Sequence, residues 1–456
     1  MEGKMNFFKL KENHTTVKQE IAAGITTFMT MAYILAVNPN ILSEAGMNQH
    51  GVFVATVLSA IVGCVVMGLC ANYPFALAPG MGLNAFFTYT VVLNWGYSWK
   101  FALAAVFVEG LIFILLTACN IREALFNAIP GCMKASVSAG IGLFIAFIGF
   151  KGAGIVVDNQ SNLVGLGNML TPQAVLCMVG VVLTVVLMKR GFKGAILVGI
   201  LATWLLGIGA QLIGWYQVDV AAGVYSLLPN FGSHTSLFDG FKEVAFKFPE
   251  ASEIFGSAES IFTFIIVIFS FLFVDLFDTL GTLMGVAEKA GYLDEKGQLP
   301  RIKQAFFADA IGTTAGALLG TSTVTTFVES SAGVMEGGRT GLTAISTGAC
   351  FLLALFFAPI FMAIPSFATA PALIVVGVLM LDSIVKVDFS DMTEALPAFL
   401  TVAMMTFTAS ISEGIIFGGI TYVLVKLFSG KRKEISVMMY VLAVLFTIKL
   451  ILSSLM

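Results

Sequence analysis

Asn72-Tyr-Pro-Phe-Ala-Leu-Ala-Pro-Gly-Met-Gly-Leu-Asn-Ala-Phe-Phe87 opens an apolar reach over 73–93 that is long enough to cross a bilayer, yet it carries Pro74, Pro79, Gly80 and Gly82. An uninterrupted helix cannot run through it. Pro79 would forfeit a backbone bond in a helix interior but suits the first turn of a new helix, so an extended piece is expected over 73–78 and a half-helix after it. A second reach begins Thr321-Ser-Thr-Val-Thr-Thr-Phe-Val328, a β-branched run of poor helix propensity. It continues as Glu329-Ser-Ser-Ala-Gly-Val-Met-Glu-Gly-Gly-Arg-Thr340, which again suggests half strand, half helix. Either reach alone reads equally well as a Gly/Pro kink in a packed helix. Extended backbone at membrane depth is tolerated only where protein or a water-filled cavity satisfies it, so two such reaches at corresponding places point to a central site.

The rest of the chain supports membrane placement. Of 456 residues, 58% are hydrophobic and 11% charged, the mean hydropathy is +0.95 and the net charge is -3. A water-soluble globule carries about a quarter charged residues, and a nucleic-acid binder needs a basic surface that is missing here. Apolar segments fall near 20–37, 52–71, 73–93, 101–119, 135–150, 171–188 and 194–214. Seven more follow a polar stretch, near 258–285, 305–320, 322–337, 342–364, 369–381, 395–409 and 412–428. A last apolar run, 437–456, falls outside this symmetry, and whether it spans is left open. The amino-terminal residues, with Lys4, Lys9 and Lys11, do not read as a cleavable secretory signal. With that end cytoplasmic, fourteen spans place 19 of the 24 Lys and Arg inside, Arg122 among them, and four outside. Seven is odd, so a second copy of a seven-segment unit enters from the opposite side and the repeat is inverted. Gly194-Ala-Ile-Leu-Val-Gly-Ile200 and Gly414-Ile-Ile-Phe-Gly-Gly-Ile420 form a short local match in support. Inverted repeats are a transporter signature.

Carboxylates near mid-membrane cost about 2.5–3.5 kcal/mol each and usually face a cavity or partner. Segment 8, Phe271-Leu-Phe-Val-Asp-Leu-Phe-Asp-Thr-Leu-Gly-Thr282, offers Asp275 and Asp278, three apart and so on one helical face. Segment 10 offers Glu329 where the half-helix would start. Asp309 in segment 9 and Glu109 in segment 4 are secondary candidates that equally suit capping, pairing or an interface. His14, His50 and His234 fall in predicted loops, so any intramembrane proton relay belongs to carboxylates. No metal cluster, cofactor motif, P-loop, HExxH or GxSxG elbow is present, which argues against an intramembrane enzyme. A carboxylate beside free amides at half-helix starts suits a flat heterocyclic amide such as the lactam edge of an oxopurine, whereas an inorganic anion would take the amides without the carboxylate. Phe86, Phe87 and Phe327 are candidates to stack on the ring.

Taken together, the segment 10 motif through Ala344, Val274–Thr282, Ala78-Pro-Gly-Met-Gly-Leu-Asn84 and Gly24-Ile-Thr-Thr-Phe-Met-Thr-Met-Ala-Tyr-Ile34 resemble the nucleobase-cation symporter-2 superfamily. More narrowly, they are similar to its azaguanine-type branch of guanine, hypoxanthine and adenine permeases, over nearly the whole chain. The resemblance implies an all-α polytopic protein with seven-plus-seven inverted repeats. Segments 3 and 10 are part strand and part half-helix, and core and gate domains divide the fold. The core is expected in 1–130 and 250–366, the gate in 131–249 and 367–430, with 431–456 an apolar extension.

Carried over by motif, Glu329, Asp275, Asn84, Gly82 and Ser330 are expected at the substrate, with Thr30 as an addition. Asp278, Asp275 and Asp309 are expected in proton coupling or support. Ser330 replaces the amide or other polar residue of xanthine and uracil relatives, which argues against those substrates. The implied function is proton-driven import of guanine or hypoxanthine across the cytoplasmic membrane by elevator motion. An adenine permease of the same branch is the alternative, and an anion exchanger or channel of the same fold is the reading from another class. A proton is favoured over sodium as coupling ion, and a homodimer is implied by the family.

Overall fold

The structure is a computed structural model that describes residues 7–119, 129–159, 163–218, 226–229, 236–294 and 299–455. Lys4, Arg122 and His234 lie outside the described residues. Ten helices among those described are long and apolar enough to cross a membrane. Each of the fourteen expected segments is found. Segments 1 and 2 are Val17–Met31 with Ile34–Glu44, and Gln49–Val66 with a π-helical end, Met67–Ala71. Segments 4 to 7 are Trp99–Ala118, Gly131–Gly152, Pro172–Lys189 and Ala195–Leu212. Segments 8 and 9 are Ala258–Ala290 and Ile302–Leu319. Segments 11 to 14 are Gly341–Met362, Ser366–Leu381, Met392–Phe407 and Ile411–Phe428. The helix Val437–Leu455 closes the chain.

Local chemistry sets many of these boundaries. Thr16, Asn48, Ser98, Thr171 and Ser410 each accept a bond from the amide three residues on, satisfying one donor that a helix start leaves open. Segment 1 breaks around Tyr33, and Pro39 one and a half turns later cannot donate to the Leu35 carbonyl. Segment 2 ends at Asn72, whose left-handed φ of 51° an asparagine tolerates. Its side chain then accepts from the Gly341 amide at 2.8 Å and donates to the Phe8 carbonyl at 3.2 Å.

Segments 3 and 10 are broken as expected, with one difference of register. Strand β1 is Leu77–Pro79, followed by a helix over Met81–Ala85 that continues with π geometry through Phe86–Asn94. After the peripheral hairpin β2 (Val156–Asn159) and β3 (Leu163–Leu166), strand β4 is Val324–Thr326, followed by the helix Ser330–Met335. β1 and β4 pair antiparallel, Leu77 with Thr326, Ala78 with Thr325 and Pro79 with Val324. The Gly80 amide donates to the Thr323 carbonyl at 3.0 Å and the Phe327 amide to the Ala76 carbonyl at 2.9 Å. An unpaired backbone group in hydrocarbon costs several kcal/mol, so each broken segment needs the other. The pairing also corrects one expectation. Pro79 is the last strand residue, not the first helical one, because Gly80 bonds across to segment 10 and the helix begins only with the bond from Asn84 to the Gly80 carbonyl.

Segments 1, 2, 4, 9 and 11 pack on one another around the two strands, while segments 5, 6, 12, 13 and 14 pack chiefly among themselves, with segment 7 on 6 and 12. Close glycine crossings recur in both halves. The Thr184 hydroxyl of segment 6 seats on Gly199 of segment 7, and the Thr401 hydroxyl of segment 13 on Gly418 of segment 14. Each threonine satisfies its hydroxyl one turn back, at Gly180 and Pro397. Without a β-carbon, helix backbones approach closely enough for dispersion and small polar contacts to hold them where lipid removes the hydrophobic drive.

Candidate functional site

The β1–β4 crossing gathers the polar side chains of six segments. Glu329 forms the turn from β4 into Ser330–Met335 and is half-buried. Its Oε1 accepts a 2.6 Å hydrogen bond from the Tyr33 hydroxyl, supplied by the break in segment 1. The Phe327 ring lies 6.4 Å from that tyrosine, tilted by 42°. Thr30 is adjacent but donates chiefly within its own helix, to the Thr27 carbonyl at 2.8 Å, with the Glu329 carbonyl at 3.4 Å. On the facing side, Asp278 Oδ2 accepts from the Thr325 hydroxyl at 3.2 Å. A β-carbon at Gly80 would come within 2.7 Å of Thr325 Oγ1 and 3.3 Å of Asp278 Oδ2, so only glycine lets the half-helix begin there.

Asp275 is three residues from Asp278 but turns elsewhere. It is fully buried, and its Oδ1 accepts from the Thr279 hydroxyl at 2.6 Å. The same hydroxyl lies 3.1 and 3.2 Å from the two carboxyl oxygens of Asp309, also fully buried. Asn84 accepts a bond from Ser322, and its buried Nδ2 has no hydrogen-bond partner among the described residues. Gly82 faces segment 5: a β-carbon there would meet Ile141 at 2.8 Å. Ser330 is buried and takes the Ala76 amide at 2.9 Å, pinning the lead-in to β1. Phe86 and Phe87 are wholly buried, Phe86 edge-on to Phe271, whereas the Phe327 ring stands beside Tyr33, the tyrosine that bonds Glu329.

Several contributors were not singled out in the sequence. The run 321–325 sends its hydroxyls to four different segments. Thr321 accepts from Asn38 of segment 1 at 2.9 Å, and Ser322 donates to Asn84 of segment 3. Thr323 donates to Glu109 of segment 4 at 2.9 Å, and Thr325 to Asp278 of segment 8. The near-continuous hydroxyls of this strand-forming run, interrupted only at Val324, were the available signal, since successive side chains of a strand point to opposite faces and so can serve several neighbours. Tyr33 carried a weaker one, a lone phenolic hydroxyl in an apolar stretch.

The expected pair of amide-rich half-helix starts is present at only one side. In segment 10 the Ser330, Ser331 and Ala332 amides already bond to the Phe327, Val328 and Glu329 carbonyls, closing tight turns. In segment 3 the first helical bond comes from Asn84, so the Met81, Gly82 and Leu83 amides precede it and have no intrahelical carbonyl to reach. The site thus combines a carboxylate acceptor, a second carboxylate, amide donors on the opposite segment and an aromatic ring. That set suits a neutral planar molecule carrying donors and acceptors along one edge.

A family model described as the Permease family matches residues 18–417. The chain is 45% identical over 449 residues to the guanine/hypoxanthine permease PbuO of Bacillus subtilis (strain 168), covering 97% of this chain and 99% of that protein. It is 42% identical over 448 residues to the adenine permease AdeP of Escherichia coli (strain K12), covering 97% and 95%. Among solved structures it is similar to the transmembrane domain of a cyanobacterium bicarbonate transporter, BicA, with a TM-score of 0.62 over 88% of this chain and 97% of that one. At 14% identity that likeness speaks for the seven-plus-seven fold alone.

Proposed function

Because the chain belongs to the nucleobase-cation symporter-2 permease family, whose members are transporters and not enzymes, we propose that it imports purine nucleobases, guanine or hypoxanthine, by proton symport. The observation that carries this reading is the Glu329 carboxylate, fixed by Tyr33 at the crossing of two broken segments. A carboxylate has about four lone-pair sites, and the tyrosine uses one. The ring NH and amino group of guanine, or the ring NH of hypoxanthine, donate to those that remain. The Met81–Leu83 amides lie on the segment where the purine carbonyl would be received, and Phe327 offers its ring. Asn84, Ser330 and Thr30 support the pocket in this reading, and Gly82 contributes its amide and a close approach to segment 5. Asp275, Asp278 and Asp309 share the coupling proton and the support of the strands.

Adenine is supported equally by the similarity to AdeP. Its edge presents an amino donor beside a ring acceptor, so it would use one donor to Glu329 and take one from the amides. Transport in this proposal follows elevator motion, with a core of 1–130 and 250–366 sliding against a gate of 131–249 and 367–430 and a cytoplasmic amino terminus. The test is radiolabelled uptake in cells lacking their own purine permeases. Glu329→Gln and Asp275→Asn should each abolish guanine uptake while the protein still reaches the membrane; near-normal uptake by both refutes these two roles. Equilibrium binding of adenine, guanine, hypoxanthine, xanthine and uracil to purified protein, at two pH values, separates the substrate alternatives.

A further inference from the structure

Resting on the proton symport just proposed, we propose that Thr279 is the positioning residue through which Asp275 and Asp309 hold a single proton between segments 8 and 9. A threonine hydroxyl has one hydrogen and two lone pairs. In this fold it sits 2.6 Å from Asp275 Oδ1 and 3.1 and 3.2 Å from the two oxygens of Asp309, and all three side chains are fully buried. The shorter contact takes the hydroxyl hydrogen. Thr279 Oγ1 then turns lone pairs toward Asp309, and that contact is attractive only when Asp309 carries a proton. Two ionised carboxylates on either side of this hydroxyl would instead place like charges close together in the protein interior.

The arrangement is a two-position relay. In one position Asp309 donates to Thr279, which donates to Asp275. In the other, Asp309 has passed its hydrogen to Thr279 Oγ1 while Thr279 has passed its own to Asp275 Oδ1. Two O–H bonds break and two form, and the negative charge moves from Asp275 to Asp309. The other ionisable groups around the trio are Asp278 one turn along segment 8, Glu109 of segment 4 behind Thr323, and Glu329 with Tyr33 across the strands. Asp278, the residue before Thr279, accepts from Thr325 of β4, which gives the proton position a path toward the strand that leads into Glu329.

The experiment uses purified full-length chain in proteoliposomes, with guanine counterflow and uptake driven by an imposed pH gradient measured side by side. In Thr279→Val the ratio of gradient-driven uptake to counterflow should fall by about tenfold or more, and Thr279→Ser should restore it. An unchanged ratio in Thr279→Val, or no rescue by serine, overturns the relay. Should the valine variant fail to fold, infrared difference spectra of the unmodified protein decide: a protonated-carboxyl band that Asp309→Asn or Asp275→Asn removes is expected at neutral pH, and its absence refutes the shared proton. Guanine counterflow without proton movement in the unmodified protein refutes the relay and leaves purine transport standing. Absence of counterflow refutes the purine reading, and the infrared band still decides the shared proton.

Discussion

Glu329 and Glu20 show how differently two carboxylates can serve within one fold. Glu329 is half-buried with one bond from Tyr33, and so keeps acceptor capacity for a ligand. Removing that hydroxyl by Tyr33→Phe should cost about 1 kcal/mol, a five- to tenfold loss of guanine affinity by equilibrium binding, with folding intact. Unchanged affinity would mean that the tyrosine does not orient the carboxylate. Glu20 is fully buried and spends both oxygens: Oε1 on the Arg339 amide at 2.9 Å, Oε2 on the Thr340 amide, the Thr340 hydroxyl at 2.8 Å and the Thr343 hydroxyl at 2.6 Å. It is a latch that holds segment 1 to the turn between segments 10 and 11. Glu20→Ala leaves these donors buried without their acceptor and should destabilise the protein by about 3 kcal/mol, read as a lower melting temperature in detergent. Glu329 was legible from its sequence because it interrupts an apolar reach. Glu20 was not, because a carboxylate in the first turn of a helix has an ordinary local explanation in the helix dipole.

At the scale of elements, segment 3 uses two neighbouring glycines for different purposes that the local sequence does not distinguish. Gly80 abuts Thr325 and Asp278 inside the crossing, whereas Gly82 abuts Ile141 on segment 5. A methyl at Gly80 would press on the hydroxyl and carboxylate that join segments 3, 8 and 10, so Gly80→Ala should lose guanine binding and uptake together. A methyl at Gly82 leaves the crossing intact and strikes segment 5, the helix that segment 3 would slide past in the proposed motion. Gly82→Ala should therefore keep binding within about threefold and lose most uptake; equal loss of both would show that Gly82 serves the pocket itself. The broken character of both segments was legible, since prolines, glycines and β-branched residues forbid a continuous helix whatever surrounds them. The register was not. It follows from the Gly80–Thr323 and Phe327–Ala76 bonds, which join residues about 250 positions apart in the chain.

For the whole molecule, transport by the proposed motion requires contacts that form and break between the two groups of segments. Lys193, in the link between segments 6 and 7, pairs with Glu336 at the end of the segment 10 helix. Gly337 beside it packs on Gln19, so this ion pair lies at the start of segment 1. At the other end of the same segment, Asn40 and Glu44 line a cavity of about 170 Å³ with Tyr89, Lys151, Ser366 and Thr369. An exposed ion pair contributes little stability, so its interest lies in where it sits. Oxidised Lys193→Cys/Glu336→Cys protein should stop taking up guanine and recover on reduction, and uptake that survives a complete cross-link would show that this contact need not open. The sequence by itself determined that the chain is a fourteen-segment membrane protein, that segments 3 and 10 are broken, and that carboxylates interrupt the apolar reaches of segments 8, 9 and 10. Each of these rests on apolar length, backbone restriction or the cost of burying charge, and all three act within a short stretch of chain. Only the tertiary structure decided which carboxylate meets which hydroxyl. Asp275 and Asp278, three residues apart, part company, one sharing the Thr279 hydroxyl with Asp309 of segment 9 and the other meeting Thr325 of segment 10, because stretches of chain far away in sequence supply those partners.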